Sequence, residues 1–247
     1  MSTTYETGHA KNVANFESLI SFIKGYGAAY NPSKTAIHLG NMQAQAKKAK
    51  DAINNLNALL ANHGNAIAGR EIAFAPIQKL GSRLLSSLKA TDAPIQVIDN
   101  LSSINRKLQG RRASVKLTDE EKQTLVAEGK VVNQISASQQ SFDSLLDTFD
   151  KFVKLLASIP QYSPNETELK VATLEGLYIH LKLQNSTVVS SATSLSNARL
   201  ERNIVMYHPE TGMVVTALDA KNYIKSVFGI SSPQFKQVSK LVFKSVK

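Results

Sequence analysis

The chain has no cysteine and no tryptophan, and aromatic residues make up only 6% of its 247 residues. The absence of cysteine excludes disulfide bonds, thiolate zinc sites and cysteine nucleophiles. No run of about 18 apolar residues occurs, so no segment is expected to span a bilayer. The first residues lack the basic and then apolar pattern of a secretory signal, so we expect a cytoplasmic protein.

Positive charge is in excess but is unevenly distributed along the chain, whose formal net charge is +10. Residues 101–117 hold five basic residues and no acidic one, whereas residues 118–180 hold five basic and ten acidic residues. This asymmetry favours contact with an acidic partner, such as nucleic acid, lipid headgroups or an acidic protein. The same charge would also serve solubility alone.

A short segment recurs 132 residues apart, since YNPSKT at 30–35 returns as YSPNET at 162–167. Without a gap, the same shift aligns residues 13–75 with residues 145–207. The sequence therefore predicts an internal repeat, because self-similarity over a fixed distance is typical of repeated structural units. Within a single helical domain, 1–247, we predict repeat one at about 13–109, a linker at about 110–141, repeat two at about 142–229 and a basic tail at 230–247.

Apolar residues follow an average step of 3.5 residues from Thr35 to Phe74 and again from Thr167 to Met206. That period predicts two long helices with coiled-coil-like packing. Pro32 and Pro164 precede them, so Ser33 and Asn165 are the expected N-caps. At about 40 residues and roughly 1.5 Å per residue, each helix would be on the order of 60 Å long. The predicted fold is all-α, an elongated antiparallel bundle of two pseudo-symmetric repeats.

Two shorter helices have clear boundaries in the sequence. Thr118 and Glu121 form a capping-box pattern, which predicts a short acidic helix that ends at Gly129. A last helix is predicted from about Met213 to Phe228. The tail at 233–247 fits either a basic helix or an edge strand.

The sequence contains none of the patterns that usually accompany catalysis or metal binding. The five histidines fall in no His-Glu-x-x-His or Glu-x-x-His pattern, which argues against helical zinc and di-iron sites. The carboxylates offer no close inward-facing pair, and no nucleophile elbow is present. We therefore predict a protein that is not an enzyme and that uses no cofactor or metal.

Two basic segments are candidate contacts for an anion or a nucleic acid. The first has no interleaved aromatic residue, so phosphate contact is favoured over base stacking. The second could lie on nucleic acid or an anionic membrane if it is helical. Each could equally be a solvated segment without a partner. The residues are Arg106, Lys107, Arg111, Arg112 and Lys116 in the first segment, and Lys236, Lys240 and Lys244 in the second.

Arg70 and Arg202 are aligned by the 132-residue shift, and both fall on the apolar seam of their helix. A charge there is costly unless it is paired or reaches water. One interpretation is that each stem packs on the seam while its guanidinium reaches solvent. The other is a clamp for an anion or carboxylate, made by two pseudo-symmetric arginines.

Four phrases of the sequence resemble a bacterial family of all-helical proteins that has no assigned activity; they are residues 30–33, 108–112, 197–199 and 207–212. The resemblance would cover most of the chain and implies no activity. The long seam and the lack of chemical motifs predict a non-enzymatic scaffold whose partner is another protein or a second copy. The alternative is a nucleoid-associated type of protein that binds nucleic acid through its basic segments. Membrane attachment is disfavoured, because no apolar hairpin is present.

Overall fold

The computed structural model describes residues 8–111, 118–129 and 140–244. Within them 79% of residues are helical and none is in a strand, which confirms the all-α prediction. The short helix at Asp119–Ala127 buries none of its residues, whereas the other eight helices of the described ranges bury apolar side chains. The α-helices are α1 (His9–Tyr26), α2 (Leu39–Phe74), α3 (Ile77–Lys89), α4 (Ile95–Leu108), α5 (Asp119–Ala127), α6 (Phe142–Ala157), α7 (Val171–Tyr207), α8 (Met213–Phe228) and α9 (Pro233–Ser239).

The long helices α2 and α7 begin later than the prolines suggest. A 3₁₀ turn at Thr35–Ile37 precedes α2, and another at Thr167–Leu169 precedes α7. The residues that cap these turns are Lys34 and Glu166, so the N-caps predicted at Ser33 and Asn165 are wrong. The reason is that the chain stays extended for one more residue before it turns.

A tyrosine hydroxyl closes each of these two turns. The Tyr30 hydroxyl donates to the carbonyl of Ile37 at 2.9 Å, and the Tyr162 hydroxyl donates to the carbonyl of Leu169 at 2.8 Å. In both cases the bond spans seven residues. Each tyrosine therefore fixes the path of the chain into a long helix.

The chain divides into two compact units, and each contains part of both long helices. Unit 1 is Met1–Gly64 with Ser191–Lys247, and unit 2 is Asn65–Ser190. The core of unit 1 is built on α1, α2, α7, α8 and α9, and its fully buried side chains include Phe16, Leu19, Met42, Met206, Met213, Ile224 and Val238. The core of unit 2 draws on α2, α3, α4, α6 and α7, with Leu84, Leu88, Leu101, Phe149, Phe152, Leu156 and Leu181 fully buried.

The predicted seam positions are buried near both ends of each long helix, with departures in between. Met42 and Leu174 are fully buried near the helix starts, and Phe74 and Met206 are buried at the helix ends. Between them, Leu60 is 53% exposed, and Ala198 is buried in place of Arg199.

The burial pattern of α6 matches that of α1 at a shift of 133 residues instead of 132. Phe16 corresponds to Phe149 and Ile23 to Leu156, and all four side chains are buried. The sequence alignment had paired Ile23 with Leu155, which is only half-buried. The connection from α6 to the turn that follows it is therefore one residue shorter than the connection from α1 to its turn.

The predicted short helices are found where the sequence placed them. The Thr118 hydroxyl accepts from the backbone N–H of Glu121 at 3.2 Å, and the Glu121 carboxylate accepts from the N–H of Thr118 at 2.7 Å, which completes the capping box. Helix α8 has the predicted bounds. The tail is a short helix, α9, followed by a non-helical segment up to Lys244.

Candidate functional site

The first basic segment begins in the last turn of α4. Arg106 is half-buried and Lys107 is exposed there, where positive charge is favoured by the helix dipole. Arg111 is exposed just beyond the helix. Arg112 and Lys116 lie outside the described residues. The described part of the segment thus presents two exposed cations, Lys107 and Arg111. The position of Lys107 at the end of α4 is explained by the helix dipole alone.

The second basic segment does not form one helical stripe. Lys236 lies in α9, Lys240 follows the last residue of that helix, and Lys244 lies in the extended segment beyond it. All three side chains are exposed. Because α9 ends at Ser239, the four-residue spacing of the lysines does not place them on a common face.

Arg70, in α2, has its partners on two other helices of unit 2. Its Nη1 donates to Oδ1 of Asn185 in α7 at 3.0 Å, and its Cζ lies 3.9 Å from the ring centroid of Phe142 in α6. Its Nε is buried without a hydrogen-bond partner in the described residues. The guanidinium is therefore held by one amide and one aromatic face.

Asn185 connects this guanidinium to a carboxylate. While its Oδ1 accepts from Arg70, its Nδ2 donates to Oδ1 of Asp143 at 2.6 Å. Asn185 is itself buried. The charge of Arg70 is thus balanced through an amide bridge instead of through a direct ion pair, and the layer joins α2, α6 and α7.

Arg202, in unit 1, has a different environment. Its Nε and Nη2 donate to Oδ1 of the adjacent Asn203 at 3.1 and 2.8 Å in an exposed position. The two aligned arginines therefore have different partners. The 132-residue shift aligns Asn185, the partner of Arg70, with Ile53 in unit 1. Isoleucine has no side-chain oxygen, so Arg202 has no equivalent acceptor at that position.

Two asparagines of α1 hold the C-terminal segment of unit 1. Asn12, only 3% exposed, donates to the carbonyl of Lys244 at 2.7 Å and accepts from the N–H of the same residue at 3.2 Å. One turn later, Asn15 donates to the carbonyl of Val242 at 2.7 Å. The two amides therefore satisfy the backbone on one edge of the segment, as a neighbouring strand would.

Lys221 of α8 holds the opposite edge of the same segment. Its Nζ donates to the carbonyl of Leu241 at 2.9 Å and to that of Ser239 at 3.3 Å. It also lies 6.0 Å from the ring centroid of Phe243, and burial lowers the pKa of its ammonium group. Phe243 packs edge-on against Phe16 of α1 at 6.5 Å between ring centroids.

His9 and Tyr207 form a polar contact beside this segment. Nδ1 of His9 lies 2.7 Å from the Tyr207 hydroxyl, which also accepts from Asn12 at 3.3 Å. Burial, followed by the charge of Arg202, lowers the pKa of His9. Burial raises the pKa of Tyr207, and the hydrogen bond from Asn12 and the positive charge of Arg202 oppose that rise. At neutral pH both groups are therefore uncharged.

Unit 2 has a shallow open groove between α3 and the turn before α7. Arg83 crosses this region and makes two hydrogen bonds of 2.9 Å to the Glu168 carboxylate. The groove's other polar groups are mainly serine hydroxyls; its lining is Ser82, Arg83, Ser86, Ser87, Ala90, Glu166 and Leu169. Since Glu168 already occupies the guanidinium, the groove offers no free cation from Arg83.

Two features are absent from residues 8–111, 118–129 and 140–244. No group of three or more histidine, aspartate or glutamate side chains is arranged there to hold a metal ion. Among the helices in the same ranges, none combines the length and apolar character that crossing a bilayer requires.

Sequence reasoning missed Asn12, Asn15 and Lys221, although one of them left a signal. Asn12 is spaced four residues before Phe16 and seven before Leu19, so it falls on the apolar face of α1. A polar residue in that position indicates a buried hydrogen-bonding partner. Asn185 gives the same signal on the seam of α7. Lys221 carries no comparable mark, since a lysine on a helix is ordinarily exposed.

Comparison with known protein families, with characterised proteins and with solved structures finds no match for this chain.

Proposed function

We propose that the protein is a non-enzymatic helical scaffold that acts by self-association or by binding another protein through exposed faces of its long helices. The observation that carries this proposal is a set of paired apolar side chains on α7. Leu200 and Ile204 in unit 1 are 60% and 62% exposed. Ile179 and Leu183 in unit 2 are 65% and 60% exposed.

The four-residue spacing gives these side chains their significance. Single exposed apolar residues are common on folded proteins and need no partner. Residues four apart on a helix are neighbours on one face, so each pair forms a continuous apolar ridge. A second helix could bury such a ridge by the packing that joins helices within a bundle. We take a second copy of the chain as the first partner to test.

The proposed scaffold is a two-repeat protein with coiled-coil-like long helices. The matched tyrosine bonds before α2 and α7 support the repeat. So does the composition of the units, because unit 1 contains α1, α8 and α9, whereas unit 2 contains their counterparts α6, α3 and α4. The buried seam positions at both helix starts support the packing mode.

Sedimentation velocity of the full chain tests the proposal. We expect Leu200→Glu with Ile204→Glu to weaken self-association, because charge on an apolar ridge opposes its burial. Asn54→Glu with Ala58→Glu, at exposed positions four apart on α2, is the matched control and should have no effect. Equal behaviour of both double variants would contradict a role for the α7 ridge.

Nucleic-acid binding is the second candidate, and the charge of unit 1 favours it. Unit 1 holds 14 basic and 6 acidic residues, a net charge of +8, whereas unit 2 holds 15 and 13, a net charge of +2. Phosphate contacts made by such charge would weaken steeply as salt rises. The positive charge is therefore greatest in the unit that lacks the basic segment at residues 106–116.

Retention on DNA and RNA at increasing salt tests this candidate. If the first basic segment makes the contacts, changing Arg106, Lys107, Arg111, Arg112 and Lys116 to glutamine should lower affinity and flatten the salt slope. Changing Lys47, Lys48 and Lys50 of α2 to glutamine tests in the same assay whether unit 1 makes the phosphate contacts. A salt slope that neither set changes would exclude both the first basic segment and the three α2 lysines as the source of binding.

A further inference from the structure

The segment from Leu241 to Lys244 is held in unit 1 by side chains of α1 and α8, with contacts that alternate along the chain as they do for an extended peptide. Its carbonyls alternate in direction: those of Val242 and Lys244 face α1, and that of Leu241 faces α8. Its side chains alternate too, since Leu241 and Phe243 pack on the core of unit 1 while Val242 and Lys244 are exposed. This is the geometry of a strand added to a sheet, with side chains in place of the neighbouring strands.

The contacts that hold this strand divide into two kinds. Asn12, Asn15 and Lys221 bind backbone atoms, so they recognise an extended chain whatever its sequence. Selectivity for the sequence of the segment comes from its two inward side chains, Leu241 and Phe243, which are two residues apart. We call Asn12, Asn15, Lys221 and the apolar surface between them the strand cleft.

We propose that the strand cleft is a docking site for an extended segment of the pattern Leu-x-Phe, and that the occupant it takes from outside is the same segment of a second copy. The cleft binds this segment of its own chain, and every second copy carries the identical segment. Exchange of an identical element between copies is a low-cost route to association. The inference rests on the scaffold proposal for its choice of partner, and it names a different surface from the α7 ridge.

Two complementary full-length variants test the exchange. The acceptor carries Leu241→Ser and Phe243→Ser, so its own segment fills the cleft poorly while the cleft stays intact. The donor carries Asn12→Ala and Asn15→Ala, so its segment is intact but its own cleft lacks both amides and holds the segment more weakly. Both also carry Leu200→Glu and Ile204→Glu, which separates this test from association through the α7 ridge.

We expect the mixed variants to form a one-to-one complex in sedimentation velocity, and each variant alone to remain uncomplexed. Val242→Thr in the donor is the matched control, because that side chain points outward, and it should leave the complex unchanged. Folded variants that form no complex on mixing would overturn the proposal. A complex that also forms when the donor lacks Leu241 and Phe243 would overturn it as well.

A measurement on the unaltered chain decides the question if either variant fails to fold. A synthetic peptide of residues 237–244 in excess should compete with the bound segment. It should shift the side-chain amide signals of Asn12 and Asn15 in nuclear magnetic resonance spectra. It should also increase hydrogen exchange at the backbone N–H of Lys244, which donates to Asn12 in the bound segment. The same peptide with serine at its Leu241 and Phe243 positions should bind at least about tenfold more weakly. Equal effects of the two peptides, or none from either, would overturn the proposal.

Discussion

Replacing Arg70 with methionine tests whether the layer of Arg70, Asn185 and Asp143 stabilises unit 2. The change removes a hydrogen bond from a charged donor, which is worth about 1.5–3 kcal/mol. It also removes the stacking of the guanidinium on Phe142, worth about 1–2 kcal/mol for a partly buried pair. Against these losses, methionine relieves the burial of an unpaired Nε, a gain of about 1–3 kcal/mol.

The balance of these terms predicts a loss of about 2 kcal/mol in the free energy of unfolding for Arg70→Met. Arg202→Met provides the matched control at the aligned seam position. Because Arg202 contacts only its exposed neighbour among the side-chain bonds described above, that change should stay within about 0.5 kcal/mol. Urea unfolding followed by circular dichroism measures both values, and an unchanged denaturant slope supports the comparison.

A double-mutant cycle with Asn185→Ala separates the contact from the burial terms. The coupling between Arg70 and Asn185 should be about 1 kcal/mol, since the residues share one hydrogen bond. Equal losses for Arg70→Met and Arg202→Met would refute the reasoning. A gain in stability from Arg70→Met would refute it more strongly, because it would mean that the unpaired Nε outweighs both partners.

Three further predictions concern local contacts. Tyr30→Phe and Tyr162→Phe should each cost about 1 kcal/mol of unfolding free energy in urea titrations, since each removes the hydrogen bond that closes its turn; unequal costs would argue against matched turns. The pKa of His9 is lower in the folded chain than its ordinary value of 6.5, so near that pH the unfolded chain binds more protons than the folded chain. The free energy of unfolding should therefore fall as the pH is lowered through that value. His9→Gln should flatten this dependence of stability on pH. Thr118→Ala should speed hydrogen exchange in α5 by removing its capping box, at a local cost of about 1 kcal/mol.

Helix positions could be predicted from the sequence where periodicity and caps agree. Helix α8 begins at Met213 as expected, and the box at Thr118 marks the start of α5, because both signals are local. The start of α2 could not be predicted in the same way. Tyr30 closes a turn onto Ile37, and that hydrogen bond, instead of a side-chain cap at Ser33, sets where the helix begins.

The candidate sites were less predictable, because their partners come from distant parts of the chain. Asn185 was visible as a polar residue on an apolar seam, but Phe142 as a partner of Arg70 depends on how α6 packs in unit 2. For the tail at 233–247, the sequence left a basic helix and an edge strand open. The conformation of residues 241–244 depends on Asn12 in α1 and Lys221 in α8, so only the packed unit reveals it.

Sedimentation equilibrium of the unaltered full chain, at low and high salt, tests the scaffold proposal most directly. Apolar surface drives the proposed association, so the association constant should hold or rise between about 0.1 and 1 M salt, where the Debye length falls from about 10 to 3 Å. Association that weakens steeply with salt would point to the basic segments instead. A single monomeric species at every concentration and at both salt levels would contradict self-association as the function of this protein.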